Sequence, residues 1–404
     1  MTSLHLEDLR KDTAYALLLS CCRVYASAAD RSLQHRLAKE LDNERFLALA
    51  ERHLVGSLVW HNLNRHPQGT FDAGLMAALL SSHRQNVISE MVSAHAAVKL
   101  HRLLAGAGLP HCLLKGLAVG QRYYAAPGLR GTGDIDLLVP QASFDEVNRL
   151  LLNAGYAAPN PIDALTSRQR RYFMFQQNQV EFQAPGSGVI IELHWRLDQV
   201  PYTLAGLESA APLAKVTIAD ARIACLDDEE MLLHLCVHGG KHAWFCLKWV
   251  FDLPNVLESR EWDWPALRKK ARSYRCEHAL LLGLLVAEKL CGWVVPATVR
   301  PWLEHRGGLD RHFGLIVKAI THAEGWLNSP AGIVQRNLYA ASFNDGLDCW
   351  TYQLATVATH RRDWELLPLP DALFPLYFAL SPFTNIWHLA QRFRRFGQAP
   401  ARLV

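Results

Sequence analysis

The stretch from Arg130 to Val139, Arg-Gly-Thr-Gly-Asp-Ile-Asp-Leu-Leu-Val, constrains the fold most, because it places two carboxylates at the start of an apolar strand. Side chains alternate between the two faces of a strand, so Asp134 and Asp136 share one face and Ile135 lies on the other. Two acids whose side-chain roots lie about 7 Å apart repel each other unless a cation compensates their charge, and hard oxygen ligands favour Mg²⁺ or Mn²⁺. The strand is therefore predicted to carry a metal site. The alternative is a loop-to-strand junction with turn-forming aspartates.

A Lys-Gly pair lies upstream, at a predicted strand-to-helix turn. The apolar run 111–114 is typical of a short buried strand, and helical spacing begins after Gly116. Backbone N–H groups at such a turn point towards anions, and a lysine there can neutralise phosphate charge. Lys115 and Gly116 are therefore candidate phosphate ligands. The alternative is a tight turn followed by a solvated lysine.

The link into the acidic strand contains an arginine and two glycines. Gly131-Thr-Gly133 is not a dinucleotide-binding fingerprint, because its glycines precede a strand, whereas that fingerprint follows a strand and opens a helix. Arg130 flanks the acids, so it could pair with them or bind a phosphate. We therefore count Arg130 and Gly133 among the candidate phosphate contacts.

Two alternating runs, residues 179–183 and 189–195, are joined by Ala-Pro-Gly-Ser-Gly and predict a hairpin. Glu192 and His194 share one face of the second run. If this strand pairs beside the acidic strand, Glu192 becomes a third carboxylate for a shared metal site. A buried glutamate without a partner would be costly, so a partner is expected, whereas an exposed sheet edge is the alternative.

The segment from residue 234 to residue 252 mixes histidines and lysines with large aromatic side chains. His234 and His238 have the spacing of helical zinc ligands, and a zinc site would also use Cys236 and His242. Gly239-Gly240 is expected to break the helix before His242, so the pattern does not favour zinc.

A helix beginning near Lys241 is the preferred interpretation of the same segment, since its apolar positions would form one buried face. We predict that Lys241, His242 and Lys248 lie along the wall of a cleft, where they approach phosphates or an acceptor. The alternative for Lys248 is a helical salt bridge with Asp252, four residues further on.

Taken together, these motifs resemble one family. A strand ending in Lys115-Gly116, a helix, Arg130 with Gly-Asp-Ile-Asp-Leu-Leu-Val, and Ile-Glu-Leu-His-Trp around Glu192 resemble the bacterial uncharacterised nucleotidyltransferases of the polymerase β-like superfamily. The resemblance runs from about residue 50 to about residue 260 and includes the segment up to Asp252. It departs from better-known superfamily members at the first turn, where they carry Gly-Ser.

The resemblance implies an α+β fold, with a small mixed sheet flanked by helices. It also implies a nucleoside triphosphate, Mg²⁺ or Mn²⁺ at Asp134, Asp136 and Glu192, and transfer of a nucleotidyl group to an acceptor. Both aspartates would bridge two metal ions, while Glu192 would bind one of them or act as a base on the acceptor hydroxyl. The residues expected to bind the nucleotide are Lys115, Gly116, Arg130, Gly133, Lys241, His242 and Lys248.

The chain of 404 residues is predicted to divide into three parts. Residues 1–105 have helical spacing throughout, residues 106–225 hold the nucleotidyltransferase-like core, and residues 226–404 are predicted to form a helical C-terminal domain. Lys and Arg together number 42, against 38 Asp and Glu. This surplus is too small to favour nucleic acid as a partner, but it is compatible with an anionic nucleotide.

The N-terminus carries acids where a signal peptide needs a basic start and an apolar run, so export is not predicted. The most apolar late stretch is shorter than the ~20 residues of a spanning helix, so no membrane span is predicted. The nine cysteines lack the paired spacing of zinc ribbons or disulfide frameworks. We therefore expect reduced thiols and a cytoplasmic protein.

Two other classes of function fit the same residues. One is a transferase that moves another phosphate-activated group, such as a sugar, onto a peptide or small molecule. The other is a catalytically silent protein that binds a nucleotide. If the protein is a nucleotidyltransferase, the expected acceptor is likewise a small molecule or a peptide.

Overall fold

The structure of the protein is a computed structural model that describes residues 2–206, 214–322, 339, 354 and 358–396. The chain forms two compact units. The first contains Met1–Pro159, Gln179–Asp198 and Tyr202–Asp345, and the second contains Asn160–Asn178, Gln199–Pro201 and Gly346–Val404. Each unit is described by itself.

The strands of the first unit form one six-stranded mixed sheet, with the order β3-β4-β2-β1-β6-β5. Neighbours β3/β4, β2/β1 and β6/β5 are antiparallel, whereas β4/β2 and β1/β6 are parallel. The strands are β1 (Cys112–Leu113), β2 (Asp134–Leu138), β3 (Gln179–Gln183), β4 (Ile190–His194), β5 (Ala214–Ile218) and β6 (Ala221–Cys225).

The parallel pairing of β2 with β4 sets the two faces of the sheet. Asp136 lies opposite Glu192 in this register, and β3 then pairs antiparallel with β4 as the predicted hairpin. Ile135 and Ile191 are buried on the other face, where Phe182 of β3 joins them. Alternation along each strand therefore separates an apolar core face from a face that carries the acids.

The described chain is mostly helical outside this sheet, and the predicted α+β class with helical flanks is confirmed. Residues 2–106 are largely helical, as predicted. The helices are α1 (Thr2–Lys11), α2 (Thr13–Ser20), α3 (Ala28–Leu37), α4 (Asn43–Arg52), α5 (Gly56–Leu63), α6 (Ala73–Gly106), α7 (Leu117–Tyr123), α8 (Phe144–Asn153), α9 (Ser167–Gln176), α10 (Asp228–Lys241), α11 (Leu247–Leu257), α12 (Trp264–Ser273), α13 (Glu277–Cys291), α14 (Arg300–His305), α15 (Leu309–Thr321), α16 (Arg361–Leu366) and α17 (Leu376–Phe396).

The long helix α6 positions the link that enters β2. Asp72 caps its N-terminus by accepting a hydrogen bond from the backbone N–H of Leu75. Further along, Ser89 Oγ donates to the carbonyl of Thr132 at 3.0 Å, and the Glu90 carboxylate accepts from the N–H of Gly128 at 2.8 Å. The helix therefore holds the turn through hydrogen bonds to its backbone.

The first unit also brings together helices that are distant in sequence. Tyr15 of α2 donates its hydroxyl to the carbonyl of Ile320 in α15, at 3.0 Å, and Arg23 pairs with Glu258 after α11, at 2.8 Å. The division of the chain at residues 105 and 225 stays a prediction. No helix among the described residues is long and apolar enough to cross a membrane.

The second unit has its own small core. Trp364 of α16, Phe374 just before α17 and Tyr377 of α17 are buried together, and Tyr172 of α9 packs against them. The Tyr377 hydroxyl donates to the carbonyl of Leu367 at 2.6 Å, which ties α17 back to the end of α16.

The helix ends before His242, as expected, but at Lys241 and not at Gly239-Gly240, and the helix predicted to begin near Lys241 was placed too early. Helix α10 runs through both glycines to Lys241, and the next helix, α11, begins only at Leu247. The reason is packing: a Cβ built on Gly239 would lie 2.4 Å from the ring of the fully buried Trp244. Because Gly239 has no side chain, the Trp244 indole can pack directly against the helix. This packing overrides the unfavourable helix propensity of glycine, which is about 1 kcal/mol.

This packing predicts that Gly239→Ala destabilises the protein. The added methyl group overlaps the Trp244 ring, and overpacking of this kind costs about 1–3 kcal/mol. Urea unfolding followed by circular dichroism measures the loss. The control is Gly106→Ala at the last residue of α6, where a Cβ meets nothing within 4 Å. Equal midpoints for the two variants would contradict the packing explanation.

Candidate functional site

Three carboxylates lie in a row across neighbouring strands. Asp136 of β2 is opposite Glu192 of β4, and Glu192 is in turn opposite Glu181 of β3. Paired residues of adjacent strands project from the same face. Glu181 is exposed at the outer end of the row, whereas Asp136 is buried at its inner end.

The imidazole of His194 completes a compact group with two of these acids. Its Nε2 lies 3.5 Å from Asp136 Oδ1 and 3.6 Å from Glu192 Oε2. One possible ligand atom from each of the three residues lies within 4.8 Å of the others, and no other such group of three or more occurs in the described part of the chain. We call Asp136, Glu192 and His194 the acid–histidine cluster.

Lys115 provides the positive charge beside this cluster. Its Nζ lies 2.5 Å from Asp136 Oδ1 and 3.8 Å from Glu192 Oε2. Burial alone would raise the pKa of Asp136, but the Lys115 ammonium and then His194 hold that pKa well below its usual value. Burial alone would lower the pKa of Lys115, but Asp136 and then Asp134 and Glu192 raise it. The lysine and the aspartate therefore form a charged pair at neutral pH.

Gly116 leaves space beside the Asp136 carboxylate. Its φ of +57° is strained for any other residue, and a Cβ there would lie 3.0 Å from Thr132 Oγ1 and 3.6 Å from Asp136 Oδ2. Asp136 Oδ2 is buried and makes no hydrogen bond to any described residue. A buried carboxylate oxygen without a donor is costly, so this oxygen is available to a cation.

The acid–histidine cluster fits a divalent metal ion. Two carboxylates supply the oxygen ligands that Mg²⁺ and Mn²⁺ prefer, and an imidazole is a common ligand of transition metals. His194 was not among the ligands predicted from sequence, although its place two residues after Glu192 on one strand face was the available signal. Asp134 is not in the cluster, because its partner on β4 is Ile190, and its role as a ligand stays a prediction.

Arg130 does not point its guanidinium at the acids of β2. It is buried, and Nε and Nη2 each donate at 2.8 Å to the Asp252 carboxylate of α11, while Nη1 donates to the carbonyl of Gly116 at 3.3 Å. Tyr124 also donates its hydroxyl to Asp252, at 2.8 Å. These three hydrogen bonds hold the turn at Gly116 against α11, and the direct phosphate contact of Arg130 stays a prediction.

The Arg130–Asp252 pair also bears on Lys248, for which a helical salt bridge with Asp252 was the predicted alternative; this salt bridge is not present in the described part of the chain. Asp252 pairs with Arg130, and no carboxylate within the described ranges lies within 4.0 Å of Lys248 Nζ. Burial and then the neighbouring Arg130 lower the pKa of Lys248. Lys248 instead borders a pocket of about 570 Å³, within the usual size of ligand sites. Gly133 and Asp134 line it as well.

Lys241 and His242 lie at the end of α10 and outside the acid–histidine cluster. Lys241 Nζ is 3.5 Å from Asp198 Oδ2, and the His242 ring lies 5.3 Å from that of Trp249, between centroids. Burial and then Lys115 lower the pKa of His238 well below its usual value, which leaves this imidazole neutral. The predicted contacts of Lys241 and His242 with substrate stay predictions.

The zinc interpretation has no support among the described residues. His234, Cys236, His238 and His242 do not form a group that could hold a metal. Cys236 lies against α13, since a Cβ on Gly283 would be 2.5 Å from its Sγ. All eight described cysteines are buried free thiols.

Comparison with known protein families agrees with this geometry. Residues 39–292, more than half of the chain, match the family described as "Uncharacterised nucleotidyltransferase". The chain belongs to this family. The resemblance of the motifs to an uncharacterised nucleotidyltransferase family is thereby confirmed, and every member of the acid–histidine cluster lies within the matched residues. No curated protein and no solved structure matches the chain.

The buried Arg130–Asp252 pair predicts a large loss of stability for Asp252→Ala. Removal of one partner leaves a buried guanidinium without its counter-ion, which costs about 3–5 kcal/mol. Urea unfolding measures the change. Asp220→Ala is the control, because the Arg102–Asp220 pair is mostly exposed, at 62% and 71%, and such pairs contribute about 0–1 kcal/mol. A loss for Asp252→Ala as small as that of the control would show that the pair does not hold α11 in place.

Proposed function

We propose that the protein transfers a nucleotidyl group from a nucleoside triphosphate to a small-molecule or peptide acceptor, with a divalent cation, Mg²⁺ or Mn²⁺, at the acid–histidine cluster. The observation that carries the proposal is the convergence of Asp136, Glu192 and His194 within 4.8 Å, in a chain of a nucleotidyltransferase family. The cation would neutralise phosphate charge and align the reacting oxygens.

The reaction is an in-line displacement at the α-phosphorus. An acceptor oxygen forms the new bond to phosphorus, and the bond to the bridging oxygen between the α- and β-phosphates breaks, so pyrophosphate leaves. The acceptor proton passes to a base, for which we propose Glu192, because its carboxylate is 23% exposed whereas that of Asp136 is fully buried.

The other residues would bind and orient the nucleotide. An ammonium has three N–H donors, so Lys115 can contact a phosphate oxygen while it remains paired with Asp136. Gly116 and Gly133 would let the backbone approach the phosphates, and Asp134 would approach the same cation from the pocket side. Arg130 becomes a positioning residue that acts through the turn at Gly116. We further propose a cytoplasmic location, which the free thiols of the described cysteines support.

Position-specific labels test the reaction. The full-length chain is incubated with Mn²⁺ or Mg²⁺, a small-molecule and peptide extract, and each of the four nucleoside triphosphates labelled at the α- or the γ-phosphate. We expect label from the α-position alone in a product whose mass increases by one nucleoside monophosphate. Label from the γ-position, or a different mass increment, would indicate another transferred group. The absence of turnover with any triphosphate would indicate a silent protein.

Glu192→Gln is expected to reduce this transfer by about 100-fold or more, because it removes a metal ligand and the proposed base. The readout is the rate of α-label transfer, together with a melting curve that confirms folding. Glu181→Gln is the matched control, since Glu181 lies on the same face, one strand further out. Equal losses in both variants would argue against the acid–histidine cluster as the reactive centre.

Lys248→Met is expected to weaken nucleotide binding by about 1.5–3 kcal/mol, the value of one charge-assisted hydrogen bond. The reason is that Lys248 borders the pocket without a described carboxylate partner. Calorimetric titration with a non-hydrolysable triphosphate analogue measures the affinity. Lys99→Met on the exposed side of α6 is the control. An unchanged dissociation constant would remove Lys248 from the nucleotide site.

A further inference from the structure

Lys115 occupies the space where a second cation of a two-metal site would be expected. Its Nζ lies 2.5 Å from one oxygen of the Asp136 carboxylate and 3.8 Å from Glu192 Oε2. Paired metal ions lie about 3.5–4 Å apart and share their bridging carboxylates. The ammonium is therefore in contact with Asp136, a carboxylate that two metal ions would have to share, and close to Glu192, which would bind one of them.

The two oxygens of the Asp136 carboxylate have different surroundings. Lys115 Nζ donates to Oδ1, and His194 Nε2 also lies on that side, at 3.5 Å. Oδ2 is buried and has no hydrogen-bond partner among the described side chains and backbone. One carboxylate can therefore serve the ammonium with one oxygen and a metal ion with the other.

The charge of the cluster also favours a single ion. Asp136 and Glu192 together carry two negative charges and Lys115 carries one positive charge, while a histidine that binds a metal ion does so through a nitrogen lone pair and adds no charge. One divalent ion brings the sum to about +1, whereas two would bring it to about +3 before substrate binds. With the negative charge of Asp134 included, one ion gives a sum of about zero and two ions give about +2. A positive excess beside the fully buried Asp136 would be costly.

We propose that Lys115 supplies the second positive charge of the site, so that the acid–histidine cluster holds one divalent ion per chain. This inference rests on the proposed function and adds to it the number of metal ions and the role of this lysine. Lys115 stays beside Asp136 when the ion is bound, and its remaining N–H donors face the phosphates. The two-ion arrangement implied by the family resemblance uses Asp136 as a bridging ligand, so it would instead require Lys115 to leave the Asp136 carboxylate.

The test measures binding of Mn²⁺ alone to the full-length chain, by electron paramagnetic resonance and calorimetry. The wild-type protein is expected to bind one Mn²⁺ per chain. Lys115→Met keeps the length of the side chain and removes its charge, so Mn²⁺ should bind about tenfold more tightly or better. Lys115→Arg should restore wild-type affinity, and Lys99→Met should leave it unchanged.

Thermal melting gives a second readout that does not depend on turnover. Without Lys115 the two carboxylates repel each other, so Lys115→Met should melt at a lower temperature without metal and recover when Mn²⁺ is added. Glu192→Gln should weaken Mn²⁺ binding, which would place the ion at the acid–histidine cluster. The proposal is overturned if the wild-type protein binds two ions or none, or if Lys115→Met leaves the affinity unchanged.

Failure of this inference and failure of the proposed function give different results. Two Mn²⁺ per chain with normal α-label transfer would overturn the single-ion proposal and leave nucleotidyl transfer intact. One Mn²⁺ per chain, bound more tightly by Lys115→Met, without transfer from any triphosphate would support the role of Lys115 and overturn the proposed reaction.

Discussion

The parallel pairing of β2 with β4 is the constraint on which the site depends. It places Asp136 directly beside Glu192 on one face, and two neighbouring carboxylates in a partly buried setting must be compensated. Lys115 provides this compensation because it follows directly after β1, the strand that pairs with β2. The N–H of Leu114 donates to the carbonyl of Asp136 at 3.1 Å, which holds Lys115 beside that residue. Three strands that are distant in sequence therefore have to be assembled before the charges balance.

A second buried ion pair holds the surroundings of the site in place. Arg130 connects Asp252 of α11 to the carbonyl of Gly116, so the turn beside Asp136 depends on a helix more than a hundred residues away. Because Asp252 is used in this way, Lys248 is left facing the pocket without a described carboxylate. Arg130 is therefore held by its counter-ion Asp252, whereas Lys248 is a basic side chain that borders the pocket.

Local patterns predicted much of the fold. The shared face of Asp134 and Asp136 follows from the period of a strand, and the hairpin that carries Glu192 follows from its turn residues. The pairing of that hairpin with β2 joins strands that are separated by a long crossover. The sequence therefore could not predict this pairing, and the role of Glu192 as a third carboxylate was conditional on it. The partner of Arg130 and the inclusion of His194 depend on the same long-range assembly. The place of Gly239 inside α10 was not expected, because its close approach to Trp244 is a tertiary contact that helix propensity does not contain.

A purely structural role explains the acid–histidine cluster less well than a ligand site does. Buried ion pairs contribute little to stability compared with apolar packing of similar volume, so stability alone gives little reason for two acids, a histidine and a lysine on one sheet face. Their exposure is also graded, with Asp136 at 0%, Lys115 at 13% and Glu192 at 23%. A buried acid fixed by a lysine, beside a second acid that solvent reaches, gives an entering cation a rigid ligand and an accessible one. Such preorganisation is what charge stabilisation in phosphate chemistry requires.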